Sequence, residues 1–468
     1  MHPPAKLECC LRRVDESTIF MTYPDGDSAS EMQRIADLDR IEGTIRPLGP
    51  SLVKLYFNIV HPTFPILHKD DFLDKHARSH HEFPPSLLAG VYLIALDWQQ
   101  FNKELAAVPR ALDAAILEDL AMRAIENDMK RPTLSTLQAG LLLLQRVRRT
   151  NNTLLTQLVF LGQTLGIHVD CSDWFIPAWE RGLRCRLAWA LYMQDKWGAL
   201  VHGRPSLISD RLAWDDENNS DWDVRPCTVE DFHEILIKAE DVPYGSVDAK
   251  AGRVSFIHAI ELTRIFSQLQ YAFCSVGATK KGGRLDKLGA TGTMALAESF
   301  AQQLRQWYTN LPGCLKLDTT THMRGLSANG ALHLSHMAAE LTLHRAVLRA
   351  LRPETPPSLK STIRTAARAR LLSALKLVET LQPKHTQSFW GFAAPAQMAM
   401  IGSFAGLLWA TSADCDEAIE YVHQIERLRW ALQVRGSAVP FIREAIRMLD
   451  EETGDLEALK TATYQAFS

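Results

Sequence analysis

No CxxC pair occurs anywhere in the chain, although it holds eight cysteines. That spacing excludes a zinc ribbon and the paired framework of a small secreted domain. Mostly reduced thiols in an intracellular protein are expected instead. Nowhere does an uncharged apolar run approach the ~20 residues that a membrane-spanning helix needs. The start, MHPPAKLECCLRRVDES, has no long apolar core after its basic residues, so no signal peptide is expected there. A basic excess is missing too. Lys and Arg number 51 against 54 Asp and Glu, for a net charge of −3 and a pI of about 6.6, whereas a freestanding nucleic-acid binder is usually strongly basic. Glycine and proline are not enriched, and 46% hydrophobic with 22% charged residues over 468 positions is ordinary for a chain able to bury a large core.

What is present centres on Asp170 to Pro205. Pro177 sits where a first helical turn tolerates it, because its missing N–H would be unpaired there in any case. From Trp179 to Val201 the composition is helical, and Leu187 to Met193 is apolar on every side of the wheel. Such a helix, about 177–202, must be covered all round and is expected at the centre of the protein. Gly203 and Pro205 supply its stop. Trp174, Trp179, Trp189, Trp197, Trp214 and Trp222 place six of the eleven tryptophans in or near it.

Residues 1–48 are polar without sustained periodicity and read as a leader or linker. From Ser51, Leu52, Leu55, Tyr56 and Ile59 fall at helical spacing, and His61-Pro62 ends that helix. Helices are then expected at 87–98, 110–128, 134–147 and 153–166. Beyond the central one they are expected at 229–238 and 257–273, then at 294–311, 326–351, 358–381, 395–411, 416–434 and 439–452. The segment after Pro205 to Cys227 and the glycine- and lysine-bearing run Gly277–Gly292 read as loops. No fixed-period repeat and no sustained strand alternation appear, so the fold class is all-α.

Catalytic signatures are scarce. There is no GxSxG elbow, and Lys280-Lys281-Gly282-Gly283 lacks the Gly-Lys-Ser/Thr that closes a P-loop. His233-Glu234 lacks the second histidine of a zincin, and His80-His81-Glu82 puts adjacent rings where a helix would not aim them at one metal. Asp70-Asp71-Phe72-Leu73-Asp74 is a literal DDxxD, a spacing able to hold magnesium through carboxylate oxygens. It stands at a helix start, where acidic groups suit the dipole, and the second carboxylate cluster of a helical cyclase is missing. Asp215-Asp216-Glu217 reads as an acidic loop. No catalytic, metal or cofactor-binding residues are therefore assigned. Arg146, Arg148 and Arg149 close a helix, where cations suit its negative end. Lys360, Arg364, Arg368, Arg370 and Lys376 lie opposite Ile363, Leu371, Leu372 and Leu375, as a solvated helix face does. On the central helix, Arg186 and Asp195 are nine residues apart, roughly 13 Å at 1.5 Å per residue and on different faces. Each needs its own partner if buried, and Asp170 is one candidate for the arginine.

The strip Tyr56-Phe57-Asn58-Ile59-Val60-His61-Pro62-Thr63-Phe64-Pro65-Ile66-Leu67-His68 resembles the opening of the middle homology region of fungal zinc-cluster transcription factors. A second match is Leu165-Gly166-Ile167-His168-Val169-Asp170, followed by Trp174, Pro177, Trp179-Glu180, Arg186, Trp189, Tyr192, Asp195 and Gly203-Arg204-Pro205. The resemblance covers about 49–300, leaving 301–468 as a helical extension, and the tryptophan-rich version is similar to the coactivators of nitrogen-catabolic genes. It implies an all-helical, nuclear or nucleocytoplasmic, non-enzymatic regulatory region. His61, Pro62, Pro65, Asp170, Trp174, Arg186, Trp189, Asp195, Gly203, Arg204 and Pro205 would be its structural signature. Members carry a binuclear zinc cluster of six cysteines, whereas only the adjacent Cys9 and Cys10 precede Cys171 here. That cluster is expected to be absent, with direct DNA binding lost or indirect. Either the chain is a truncated product or a partner supplies the DNA contacts. Transcription factors or coactivators are the implied partners, with a homo- or heterodimer and a small metabolite as further ones. Two rival readings are a small-molecule sensor lined by the tryptophans and a magnesium-dependent helical cyclase built on Asp70, Asp71 and Asp74.

Overall fold

The computed structural model describes residues 10–22, 28–101, 103–106, 114–146, 152–209, 222–232, 246–317, 325–436, 439–454 and 461. Cys9, Arg148, Arg149, Trp214, the 215–217 acidic run and the 233–234 dipeptide lie outside them. The fold is all-α apart from one antiparallel hairpin, β1 (Cys10–Arg13) and β2 (Ile19–Thr22). Its chain forms two compact units, residues 1–144, 151–192 and 220–241 in the first, and 145–150, 193–219 and 242–468 in the second.

The first unit contains α1 (Ser28–Ile45), α2 (Gly49–Ile59), α3 (Lys69–Arg78), α4 (Pro85–Leu96), α5 (Ala114–Asp128), α6 (Leu134–Leu144) and α7 (Asn152–Thr164). The helix α8 (Ala178–His202) gives its residues to Tyr192 to this unit and the rest to the second. Proline opens α2 and α4, where its missing donor costs nothing. In α4 every residue from Pro85 to Ala95 is buried, so it is enclosed by α2, α5 and α6. Leu187 to Tyr192 of α8 are each at most 4% exposed, as the all-round apolar run predicts, while Met193 at its end is half-buried. Such full burial stabilises by about 1.5–3 kcal/mol for each large aliphatic side chain. Close packing of α7 on α8 depends on Gly162, where a Cβ would stand 2.7 Å from the Leu191 side chain.

Two local expectations differ from the structure. The first 48 residues, read as a polar leader, include α1, whose Leu38, Ile41 and Ile45 are fully buried. Three apolar residues at helical spacing suffice there, because the guanidinium of Arg34 also donates to the carbonyls of His81 and Phe83 at 2.8 and 2.9 Å. The glycine- and lysine-bearing run 277–292 is helical over much of its length. It holds the short helix Val276–Thr279 and the start of the next long one at Arg284, with Gly289 (φ 64°) as a local break. The glycine's positive φ marks a kink at which two helical stretches of Arg284–Thr309 meet.

In the second unit, α9 (Ala249–Cys274), α10 (Arg284–Thr309), α11 (Asn329–Arg349), α12 (Pro357–Thr380), α13 (Ala394–Ala410), α14 (Cys415–Gly436) and α15 (Pro440–Thr453) follow. Their order agrees with the apolar spacing. Alongside its apolar residues, α11 buries polar ones. His336 is 3.6 Å from Glu340, whose carboxylate accepts from Arg370 of α12 at 2.9 Å. Burial pushes His336, His344 and His385 down to about 4, and pushes Glu340 up to about 7 against the opposing pull of Arg370.

These shifts act in opposite senses. A depressed imidazole contributes stability that is complete above its ordinary value of 6.5 and is lost as pH falls toward about 4. A raised carboxyl contributes stability that is complete below 4.5 and is lost as pH rises through about 7. With three histidines against one glutamate, stability should rise with pH across this window. Denaturant unfolding at a series of pH values should show that rise, and Glu340→Gln should steepen it.

Candidate functional site

The polar turn before α8 is an Asx turn. Asp170 accepts from the Ser172 N–H at 3.1 Å and from its hydroxyl at 2.7 Å. Trp174 is buried beneath it, with Phe20 edge-on at 5.3 Å and the Arg184 guanidinium 5.1 Å over its ring. One turn into α8, Glu180 pairs with Arg184 at 3.1 Å.

Arg186 is fully buried. Its Nε–H donates to the Gly182 carbonyl at 3.4 Å, and its guanidinium lies 5.4 Å over the Phe232 ring, a cation–π contact in a desolvated setting. Trp189 donates its indole N–H to the Arg225 carbonyl at 2.9 Å, and Tyr192 meets its ring edge-on. The arginine beside Asp170 is Arg225, at 3.9 Å and partly exposed. Its Nη1–H also donates to Asp231 at 2.8 Å, its Nη2–H reaches the other carboxylate oxygen, and the Thr228 N–H adds a bond to Asp231 at 2.8 Å. Arg225 therefore ties the 222–232 segment to α8 by its carbonyl, and to the turn before α8 by its side chain. Gly182 permits the approach, since a Cβ there would stand 2.6 Å from the Asp231 carbonyl oxygen.

Within the second unit, Asp195 is fully buried and surrounded by donors. It accepts from the N–H groups of Leu207 and Ile208, both at 2.9 Å, and from the Ser206 hydroxyl, with Arg204 at 3.6 Å. Lys196, buried as well, donates to Ser206 at 2.8 Å and to the Ile208 carbonyl. Gly203 turns the chain out of α8 at φ 60°, Pro205 prevents the helix from resuming, and the next residues fold back onto the carboxylate. Gly203, Arg204 and Pro205 thus belong with Asp195 as one cap.

In the other motif His61 is buried, and its Nε2–H donates to the Leu67 carbonyl at 3.0 Å, which fixes the tautomer because a carbonyl can only accept. Pro62 and Pro65 hold the strip in the turn that this bond closes. His68 then caps α3 by accepting from the Asp71 N–H at 3.1 Å.

The remaining candidates are resolved by their surroundings. Asp70, Asp71 and Asp74 are exposed on α3, and Asp71 pairs with Lys75 at 2.7 Å. Arg364, Arg368 and Arg370 pair with Glu417, Glu420 and Glu340 of neighbouring helices rather than forming a wholly solvated face. Trp197 stacks on Phe266 at 4.2 Å and donates to Thr263, while Trp179 is 42% exposed. Adjacent His80 and His81 do converge, against the helical expectation, because they occupy a 3-10 turn. Both Nε2 atoms reach the same Asp39 oxygen, at 2.8 and 2.7 Å.

Sequence spacing did not reveal a second convergence. Cys185 on α8 meets Cys227 and Asp231, with their ligand-type atoms all within 4.8 Å. The bond shared with Cys227, then burial, pushes the Cys185 thiol up, and burial lifts nearby Cys171 to about 11. Cys227 ends the segment read as loop and Asp231 falls in the stretch 229–238 read as helix, so nothing in the spacing joined them to Cys185.

Two substitutions test these arrangements by urea unfolding. Asp195→Ala removes the acceptor shared by two backbone donors and Arg204, and should cost about 3–5 kcal/mol. Gly182→Ala forces the Asp231 backbone away and should cost about 1–3 kcal/mol.

Residues 53–214 match the family described as the fungal specific transcription factor domain. Over 449 residues, covering 91% of this chain and 46% of the relative, the sequence is 33% identical to the transcriptional activator protein DAL81 of Saccharomyces cerevisiae. Over 337 residues, covering 69% of this chain and 46% of the relative, it is 25% identical to an uncharacterized transcriptional regulatory protein of Schizosaccharomyces pombe. The chain spans about half the length of these curated relatives. No solved structure matches it. The matched stretch begins one residue after Leu52 of α2 and runs past Pro205, so it takes in His61-Pro62, the Asp170 turn, all of α8 and the Asp195 cap. With both motifs inside that stretch and helices around them, residues 53–214 are a fungal specific transcription factor domain.

Proposed function

We propose that the chain is a transcription-regulatory module that works through protein contacts in the nucleus and catalyses no reaction. The observation that carries this is the likeness to a transcriptional activator along 91% of the chain. The use of the signature residues agrees with it: His61, Asp170, Arg186, Trp189 and Asp195 are all engaged in holding turns and helices in place. In this reading residues 49–300 are the middle homology region and 301–468 its helical extension. The closer kinship would be with coactivators of nitrogen-catabolic genes.

Partners would supply the DNA contacts. The arginines of α12, the most basic of the helices weighed above, are paired with carboxylates of α11 and α14, which leaves that helix fewer cations to neutralise phosphates. Exposed Phe175 and Trp179, 77% and 42% accessible, provide apolar anchors of the kind that dominate protein interfaces. The small-metabolite reading is less well supported, since Trp189 and Trp197 each spend the indole N–H on a protein acceptor.

Affinity capture of the tagged full chain from fungal nuclear extract should recover sequence-specific transcription factors or coactivators, and Phe175→Ala with Trp179→Ala should reduce the yield at unchanged thermal stability. Recovery of no such protein by the folded chain would sink the proposal. Tight DNA binding by the purified chain at physiological salt would overturn the partner-dependent part.

A further inference from the structure

Two sulfurs and a carboxylate are brought together inside the first unit by segments far apart in sequence. Cys185 lies on α8, and Cys227 and Asp231 lie four residues apart beside the 3-10 turn Val229–Phe232. All three are buried, between 3% and 6% exposed, and their ligand-type atoms lie within 4.8 Å of one another. The sulfurs' contacts with backbone are long, 3.8 Å from Cys185 to the Arg225 carbonyl and 4.0 Å from Cys227 to the Thr228 carbonyl. Neither is a strong hydrogen bond. Asp231, by contrast, is firmly oriented, held on both oxygens by Arg225 and on one by the Thr228 N–H and hydroxyl.

We infer that Cys185, Cys227 and Asp231 form a binding site for a zinc-like divalent cation that fastens the 225–232 turn to α8. Two thiolates with one carboxylate are a donor set that suits zinc and disfavours hard magnesium or calcium. The formal charges close. Two thiolates and one carboxylate, with a divalent ion and the Arg225 guanidinium beside it, sum to zero, so the buried group is neutral. Binding displaces the two thiol protons to solvent, which makes affinity fall as pH is lowered. Arg225 and Thr228 stand where outer-shell partners orient a ligating carboxylate. Three protein ligands leave a fourth position for water or another oxygen. The site is separate from the six-cysteine cluster of the family's DNA-binding domains, and it does not depend on which partners the chain has.

Elemental analysis of the full chain, expressed with zinc and dialysed, should find about one equivalent of zinc per chain. Reconstitution with cobalt should give a thiolate-to-cobalt charge-transfer band. Cys185→Ser and Cys227→Ser should each lose the metal and the band, while Cys314→Ser keeps both. Should either serine variant fail to fold, Asp231→Asn retains both sulfurs, and should keep the band with weakened affinity. A folded chain without zinc and without a cobalt band overturns the inference. So does zinc that survives in both serine variants, or a Cys185–Cys227 disulfide in non-reducing peptide mapping.

Discussion

A charge on a buried helix must find its counterpart where the helix lies, because leaving it unpaired costs several kilocalories per mole. The helix α8 carries three such side chains, Arg186, Asp195 and Lys196, each no more than 2% exposed. Much of the irregular structure near it can be understood as the answer to them. Asp195 gathers the N–H groups of Leu207 and Ile208, so the chain after Gly203 must fold back at that point. Lys196 then occupies the Ser206 hydroxyl and the Ile208 carbonyl, which ties the same short turn from its other side. Arg186 takes the Gly182 carbonyl and the face of Phe232.

Arg225 performs the corresponding task for the residues before and along the first half of α8. Its carbonyl serves Trp189, while its side chain reaches Asp170 and Asp231. A residue in a segment without regular secondary structure thus links the polar turn, the helix and the turn beyond it. Removal of the Cβ at residue 182 makes that approach sterically allowed. Loops that line a long buried helix need this kind of polar anchoring, since they bring backbone groups into places where water cannot satisfy them.

In this light the residues of the two motifs are mainly a record of packing and polar satisfaction. His61 closes the turn through Leu67, Asp170 shapes the entry to α8, and the Gly203-Arg204-Pro205 run shapes its exit. The arginines of α12 show the same economy. They join helices within the second unit, and are therefore poorly placed to serve as a surface for phosphates.

The helices, their order and the burial of Leu187–Tyr192 were legible in the sequence, because apolar spacing and proline stops act over a few residues at a time. So was the need for Arg186 and Asp195 to find separate partners, which follows from helical geometry alone. The partners themselves were not. Ser206, Leu207 and Ile208 reach Asp195 with backbone groups that every sequence possesses, Arg225 lies in a stretch that reads as loop, and α1 hides three core residues among charges. Likewise His80, His81 and Asp39, or Cys185, Cys227 and Asp231, have no telling interval between them. Periodicity determined by itself most of the helical segments and the enclosure of the central one, though not α1 or the helices within 276–292. Only the tertiary structure decided which polar groups meet, because that depends on how the chain returns through space and leaves no mark on local spacing.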